Sequence, residues 1–105
     1  MTLGEIIKRL EREPQDKVIP HGFGRPCSYR GYYDQLAFRR EENIKVVSML
    51  IDAQGAVDHV FEGYKGGSYK MDLETYCWLV AEARDCGDWI SESMLTAMLE
   101  AGDAP

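Results

Sequence analysis

The amino-terminal part of the chain carries apolar residues with the period of an α-helix. Four apolar side chains spaced three or four residues apart share one helical face: Leu3, Ile6, Ile7 and Leu10. Thr2 and Glu5 have the spacing of a capping box, in which each side chain bonds the other residue's backbone amide. Pro14 disfavours helical backbone before it. The pattern therefore predicts a helix over residues 2–12.

Residues 17–38 lack a single clear period. Residues 17–19 predict a short strand. The next segment, 20–26 (PHGFGRP), predicts a loop, because two prolines and two glycines interrupt seven residues. Residues 27–38 are rich in aromatic and apolar side chains, which predicts two short strands or one bent strand.

The centre of the chain predicts a second helix. The charged run at 39–42 (RREE) is typical of a solvated segment. Asn43 can cap a helix over residues 44–54, and Gly55 can end it in the left-handed conformation. The predicted buried face consists of Ile44, Val47, Leu50 and Ile51.

A strand–turn–strand unit is predicted over residues 60–71. The pair Gly66 and Gly67 permits the positive φ angles that tight hairpin turns require. Residues 75–80 (TYCWLV) are β-branched and aromatic, which favours a strand, although a helix is also compatible with them.

The final segment predicts a third helix, which Ser91 or Ser93 can begin. Its apolar stripe is most simply a core face, although it could also form a subunit contact, and it consists of Met94, Leu95, Met98 and Leu99. The tail, 102–105, is expected to fray. Helices around short strands predict an α+β fold: a small antiparallel sheet flanked by an N-terminal, a central and a C-terminal helix, in a single domain over residues 1–105.

Composition narrows the function classes. The 105 residues include 18 acidic and 12 basic side chains, a net charge of −6, which argues against a nucleic-acid partner. No apolar run is long enough to span a membrane, so no membrane partner is expected. Three cysteines without metal-binding spacing predict neither a disulfide framework nor a metal site, and indicate a reducing cytosol.

The densest chemical pattern is GYKGGSYK at residues 63–70. Glycines let backbone amides approach an anion, a lysine contributes charge, and an aromatic face can stack on a base. The segment is neither a Walker A loop nor a dinucleotide fingerprint. Taken alone, it is compatible with a plain hairpin turn or with a phosphate-contacting loop.

A second pattern, SYRGYY at residues 28–33, places an arginine between tyrosines. Arg30 could form a bidentate phosphate contact beside stacking surfaces. The alternative is an aromatic strand face packed on a helix, with Arg30 reaching solvent.

Catalytic chemistry is weakly indicated. His21 and Cys27 could pair as base and nucleophile, but no third orienting group is evident, so no catalytic residue is predicted. Cys77 and Cys86 are interpreted as small core residues, and Trp78 as a core anchor.

Three segments, SYRGYYDQLAF (28–38), FEGYKGGSYKM (61–71) and the following Thr75 and Trp78, resemble one family of phage Thoeris anti-defence proteins. These are non-enzymatic sponges that sequester cyclic ADP-ribose isomers made by defence TIR proteins, and some members also hold cyclic di- or trinucleotides of the CBASS type. The resemblance covers roughly residues 2–80.

The resemblance implies an α+β protomer that forms dimers or a trimer of dimers, with nucleotide pockets at subunit interfaces and no cofactor. The motif positions are Tyr29, Arg30, Tyr64, Lys65, Gly66, Gly67, Tyr69, Thr75 and Trp78. At the carboxyl-terminal end, residues 91–100 predict a helix where some family members have strands, so ligand contacts on those strands do not carry over.

The leading hypothesis is therefore a cyclic-nucleotide sponge in the host cytoplasm. Tyr64 or Tyr69 would stack on adenine, and Arg30 and Lys65 would neutralise the diphosphate. The amides of Gly66 and Gly67 would donate to phosphate oxygens. Tyr29 and Thr75 complete the expected ligand set. Two alternatives are an acidic protein that blocks a host defence nuclease complex and a small hydrolase that degrades the signal.

Overall fold

The computed structural model describes residues 1–102, and three helices pack on one face of a four-stranded sheet. In chain order the elements are α1 (Leu3–Glu11), β1 (Val18–Ser28), β2 (Leu36–Lys45), α2 (Val46–Ala56), β3 (Val60–Glu62), β4 (Ser68–Lys70), β5 (Cys77–Val80), β6 (Asp88–Trp89) and α3 (Glu92–Glu100). The predicted α+β class with three helices is confirmed.

The strands form two sheets. The larger has the order β1-β2-β5-β6, and β3 pairs with β4 in a separate antiparallel hairpin. Within the larger sheet β1–β2 and β5–β6 are antiparallel, whereas β2 and β5 run parallel. A parallel pair needs a long crossover, and the segment between β2 and β5 holds α2 and the hairpin.

One core cluster joins all three helices to the sheet. Side chains alternate along a strand, so Leu36 and Phe38 of β2 face the helices while Ala37 lies on the outer face. In α3, Leu95 and Leu99 are buried and Met94 and Met98 pack against the cluster, which confirms the predicted stripe. Within residues 1–102, no helix has the length and apolar character that crossing a bilayer requires.

The capping box of α1 is confirmed. The Glu5 amide donates to Thr2 Oγ1 at 3.2 Å, and the Thr2 amide donates to Glu5 Oε1 at 2.9 Å. At the other helix predicted with a serine cap, Ser91 Oγ accepts from the Met94 amide at 3.1 Å. The fraying predicted for the tail falls on residues 103–105, outside the described part, and on Gly102, whose amide donates to the Leu99 carbonyl at 3.1 Å.

The predicted loop over 20–26 is wrong, because these residues belong to β1. Proline is tolerated on an edge strand, where its missing N–H leaves no ladder bond unmade. Pro20 lies on such an edge strand, and Pro26 lies where the register shifts between Gly24 and Cys27. Arg25, in the same irregularity, adopts φ 44°.

The predicted strands over residues 27–38 are the facing ends of two long strands. β1 ends at Ser28, a loop follows, and β2 begins at Leu36. The charged run at 39–42 belongs to β2, and its residues are exposed or half-exposed, in keeping with a solvated run. Alternating exposure along β2 lets these charges reach solvent from a paired strand.

The start of the second helix was predicted wrongly. Asn43 lies in β2 with φ 52°, a left-handed conformation that asparagine tolerates, and α2 begins at Val46. Backbone carbonyls replace the expected side-chain cap: the Val46 amide donates to Lys17 O, and the Val47 amide to Gln15 O, both at 3.0 Å.

The end and the buried face of α2 also differ from the prediction. Gly55 lies inside the helix, and Val57 follows its last residue as the cap. Of the predicted face only Leu50 is buried, and Ile51 is 60% exposed. The buried residues of α2 are Val46, Met49, Leu50, Ala53 and Ala56.

The remaining elements follow the pattern. The strand–turn–strand unit forms the β3–β4 hairpin, and residues 77–80 of the predicted strand form β5. Gly66 and Gly67 have φ 93° and 84°, which confirms their turn role.

Two glycine substitutions should have opposite effects on stability, because one glycine has helical backbone and the other has left-handed backbone. Gly55→Ala should raise the free energy of unfolding by about 0.5–1 kcal/mol, because alanine favours a helix interior and a Cβ there meets open space. Gly66→Ala should lower it by about 1 kcal/mol, because φ is positive there. Urea unfolding measures both. Destabilisation by Gly55→Ala would contradict the helical placement.

The capping box predicts a pH-dependent contribution to stability. Hydrogen bonds from Thr2 lower the pKa of Glu5 below its ordinary value of 4.5. A depressed folded-state pKa contributes stability above that value, and the contribution is lost as pH falls through the folded pKa. Glu5→Gln keeps an acceptor that does not titrate.

The difference in unfolding free energy between the wild type and Glu5→Gln should therefore change as pH falls below 4.5, in the direction that disfavours the wild type. Thermal unfolding over a pH series measures it. A difference that stays constant with pH would count against a lowered pKa of Glu5 in the folded protein.

Candidate functional site

A cavity of about 230 Å³ lies between the end of β1, the β3–β4 turn and the loop that follows β5. Its lining residues are Cys27, Ser28, Glu62, Gly63, Tyr64, Ala83 and Arg84. Three segments far apart in sequence thus meet at one place, and two of them are the motif segments singled out from the sequence.

Two arginines approach the ring of Tyr64 beside this cavity. The guanidinium carbon of Arg30 lies 4.6 Å from the ring centroid, and that of Arg84 lies 5.6 Å from it. Arg30 Nη1 also donates to the Arg84 carbonyl at 3.0 Å. These are cation–π distances, so the ring holds two positive charges near each other.

Neither guanidinium forms a salt bridge with a carboxylate of residues 1–102. Two guanidiniums that have no carboxylate partner among residues 1–102 thus meet at one tyrosine ring, in a chain that has 18 acidic residues. Two adjacent cations repel each other, and an anion placed between them would relieve that repulsion. The arrangement therefore suits a phosphate or carboxylate ligand.

The hairpin turn sets the position of Tyr64. The Gly66 amide donates to the Gly63 carbonyl, and the Gly63 amide donates to the Gly67 carbonyl, both at 3.0 Å. The first bond occupies the Gly66 amide, so the expected donation from that amide to phosphate is not available in this conformation. Lys65 is exposed next to Tyr64 in the same turn.

Tyr29 is enclosed within the protomer. Its ring stacks on Trp78, with centroids 4.5 Å apart and an interplanar angle of 8°, and only 4% of the residue is exposed. The Gly87 amide donates to its hydroxyl at 3.2 Å. Tyr29 is therefore not accessible to a ligand in this protomer. It has a structural role instead, because its ring and hydroxyl hold the loop after β1 against the loop after β5.

Two further motif residues are not among those that line the cavity. Tyr69 is half-buried and packs edge-on against Tyr33, with centroids 5.9 Å apart. Thr75 Oγ1 accepts from the Asp72 amide at 2.9 Å, within a turn. The structure thus brings together Arg30 and Tyr64, with Lys65 and the two turn glycines in the same hairpin.

Arg84 is the site residue that sequence reasoning missed. It is the single lysine or arginine after Lys70, and it stands in an otherwise acidic stretch. Its position as a lone basic residue among acidic ones was the sequence feature that could have identified it. Its approach to Tyr64 depends on the path of residues 81–87, which no local pattern specifies.

Ser28 and Glu62 give the cavity its remaining polar character. Ser28 is buried, and its hydroxyl donates to the Tyr33 carbonyl at 2.6 Å, which fixes the loop that carries Arg30. Glu62 contributes a carboxylate, a group that can accept hydrogen bonds from ribose hydroxyls.

Cys27 lies at the edge of this cavity as a protonated thiol. Its Sγ donates to the Ala83 carbonyl at 3.7 Å, and burial raises its pKa although the Arg39 guanidinium opposes the shift. His21 lines a different cavity. A thiol with a raised pKa is a poor nucleophile.

The other two cysteines differ from each other. Cys77 is buried, as predicted, and burial raises its pKa to about 12. Cys86 is exposed, so its interpretation as a core residue is wrong. Cys86 lies in the loop that follows β5, outside the sheet. In such a loop the apolar character of a residue does not by itself determine whether the residue is buried.

A larger hollow of about 710 Å³ runs along α3. Hydroxyl and carboxylate side chains line it, with one alanine, and no cation or aromatic ring of residues 1–102 takes part. It therefore lacks the groups that recognise an anionic nucleotide.

Family models, curated proteins and solved structures were all compared with this chain, and none matches it. The resemblance to the anti-defence family therefore stays a prediction from the motifs quoted above. The geometry around Tyr64 is the basis for a functional proposal.

The thiols should differ in reactivity. Iodoacetamide should modify Cys86 first, Cys27 more slowly because its thiol is half-buried with a raised pKa, and Cys77 only after unfolding. Mass spectrometry of a time course, with a urea-unfolded sample as the control, measures the order. Modification of Cys77 in the folded protein would contradict the described core.

Proposed function

We propose that this protein binds a small cyclic nucleotide signal and sequesters it without cleavage, as a phage anti-defence sponge in the host cytoplasm. The ligand class is a cyclic ADP-ribose isomer or a cyclic di- or trinucleotide. The cavity beside Tyr64 would take its phosphate-bearing part. Homo-oligomers, dimers or hexamers, would form the working assembly.

The observation that carries the proposal is the pair of arginines at Tyr64. Arg30 and Arg84 offer two guanidinium forks, the geometry that binds phosphate oxygens in pairs. The exposed part of Tyr64, 41% of the residue, leaves room for a base to stack. Lys65 adds a further cation in the same turn.

Binding without turnover is supported by the chemistry of the cavity. A hydrolase needs an activated nucleophile or a positioned base. The cavity's thiol, Cys27, has a raised pKa. Its carboxylate, Glu62, is an exposed hairpin residue. A thiol with a raised pKa is not an activated nucleophile, which favours binding over cleavage.

A cavity of 230 Å³ is small for a whole cyclic dinucleotide. An assembly in which a second protomer closes over the ligand would provide the remaining contacts. This is consistent with the oligomer that the resemblance implies.

Calorimetric titration with cyclic ADP-ribose isomers and cyclic oligonucleotides tests the proposal. Arg84→Ala should weaken binding about tenfold or more, because each charge-assisted hydrogen bond contributes about 1.5–3 kcal/mol. Arg30→Ala should act similarly, and Tyr64→Ala should remove base stacking. Arg12→Ala, at the exposed end of α1, is the matched control and should bind like the wild type.

The same samples separate a sponge from a hydrolase. The loaded protein is denatured and the released nucleotide is analysed by mass spectrometry. Recovery of the intact nucleotide is expected. Absence of binding heat with every nucleotide would overturn the proposal, and recovery of hydrolysed products would replace it with the enzyme alternative.

A further inference from the structure

Aromatic rings form a continuous cluster on the outer face of the four-stranded sheet, away from the helices. Trp78 and Trp89 lie 5.6 Å apart between centroids, Tyr76 and Trp89 lie 5.0 Å apart, and Tyr32 lies 6.1 Å from Trp78. We call these four side chains, Tyr32, Tyr76, Trp78 and Trp89, the aromatic face. It shares no residue with the lining of the Tyr64 cavity.

The aromatic face is exposed to an unusual degree. Tyr32, Tyr76 and Trp89 expose 57%, 47% and 40% of their surface. Single exposed apolar residues such as Ile51 need no explanation, but a contiguous aromatic patch marks an interaction surface. Tyrosine and tryptophan are the residues most enriched in interface hot spots, and both tryptophans of the chain lie here.

A negatively charged rim adjoins this face. Tyr76 shares a groove of about 430 Å³ with three carboxylates, those of Asp34, Asp72 and Glu74. Among residues 1–102, the groove's one ammonium group is that of Lys70, and its Nζ lies 4.0 Å from Asp58 Oδ1. The groove therefore has an excess of negative charge, as the whole chain does.

The negative charge of the rim indicates which kind of partner fits this surface. A second copy docked by two-fold symmetry would bring the same patch, and the same acidic rim, opposite itself, where like charges repel. A nucleic acid would meet the same repulsion. A guanidinium, by contrast, stacks on aromatic rings and pairs with carboxylates.

We propose that the aromatic face and its acidic rim dock an arginine-rich surface of another protein. Arginine side chains would lie over Tyr76 and Trp89 while Asp34 and Glu74 pair with their charge. This inference goes beyond nucleotide binding, because it assigns a macromolecular partner to a second surface.

Intrinsic fluorescence reports directly on this surface, because both tryptophans belong to it. A synthetic peptide of alternating arginine and serine, which has no aromatic residue, stands in for the partner. It should change the tryptophan emission and saturate. A glutamate–serine peptide of equal length is the control and should leave the emission unchanged.

Three variants locate the binding, with the affinity measured by anisotropy of a labelled peptide. Trp89→Ala and Tyr76→Ala should each weaken it about tenfold or more. The double variant Asp34→Asn, Glu74→Gln should weaken it and reduce its dependence on salt. Ile51→Ala, an exposed apolar residue on α2, should bind like the wild type, and circular dichroism checks that every variant is folded.

Several outcomes would overturn the proposal. One is the absence of saturable binding by the arginine peptide, and another is equal weakening by Ile51→Ala. Sedimentation that shows a dimer lost in Trp89→Ala would assign the face to a second copy. Binding of single-stranded DNA that competes with the peptide would assign it to a nucleic acid.

Discussion

The pairing of β1 with β2 is the constraint on which the rest of the structure depends. Eight Cα partners join the two strands, from Val18 with Lys45 to Ser28 with Leu36. This ladder positions the first turn of α2 at one end, where the carbonyls of Gln15 and Lys17 receive its amides. At the other end it positions the loop that carries Arg30, and β5 then pairs with β2 beside it.

The candidate site depends on two loops that are held by buried contacts rather than by their own sequence. The Ser28 hydroxyl fixes the loop after β1, and Tyr29 links that loop to Gly87. Arg30 then bonds the carbonyl of Arg84. The loops that carry the positive pair are thus held by neutral hydrogen bonds and ring stacking, and the Arg30 guanidinium adds a charge-assisted hydrogen bond to the Arg84 carbonyl.

Sequence reasoning succeeded where a local rule and the tertiary environment agree. The period of α1, its Thr2–Glu5 capping box and the turn glycines of the β3–β4 hairpin are of this kind. The α+β class followed from those elements. Each depends on residues within a few positions of one another.

It failed where pairing overrides local preference. The loop signal of Pro20 and Pro26 is real, but an edge strand and an irregular register accommodate both residues. The charges at 39–42 are solvated as interpreted, but they lie on a paired strand that the charge run did not predict. Part of the candidate site could be predicted from the sequence, since Tyr64 and Arg30 belong to recognisable motifs. Arg84 joins them through a loop whose path no motif encodes.

The parallel pairing of β2 with β5 has a consequence for how the protein is made. A parallel neighbour cannot be reached by a tight turn, so β5 joins the sheet only after α2 and the hairpin have been synthesised. Arg30 and Arg84 are 54 positions apart, and the contact between them closes late. A chain emerging from the ribosome would thus form α1 and the β1–β2 ladder first. The contact between Arg30 and Arg84 would form only after most of the chain has left the ribosome.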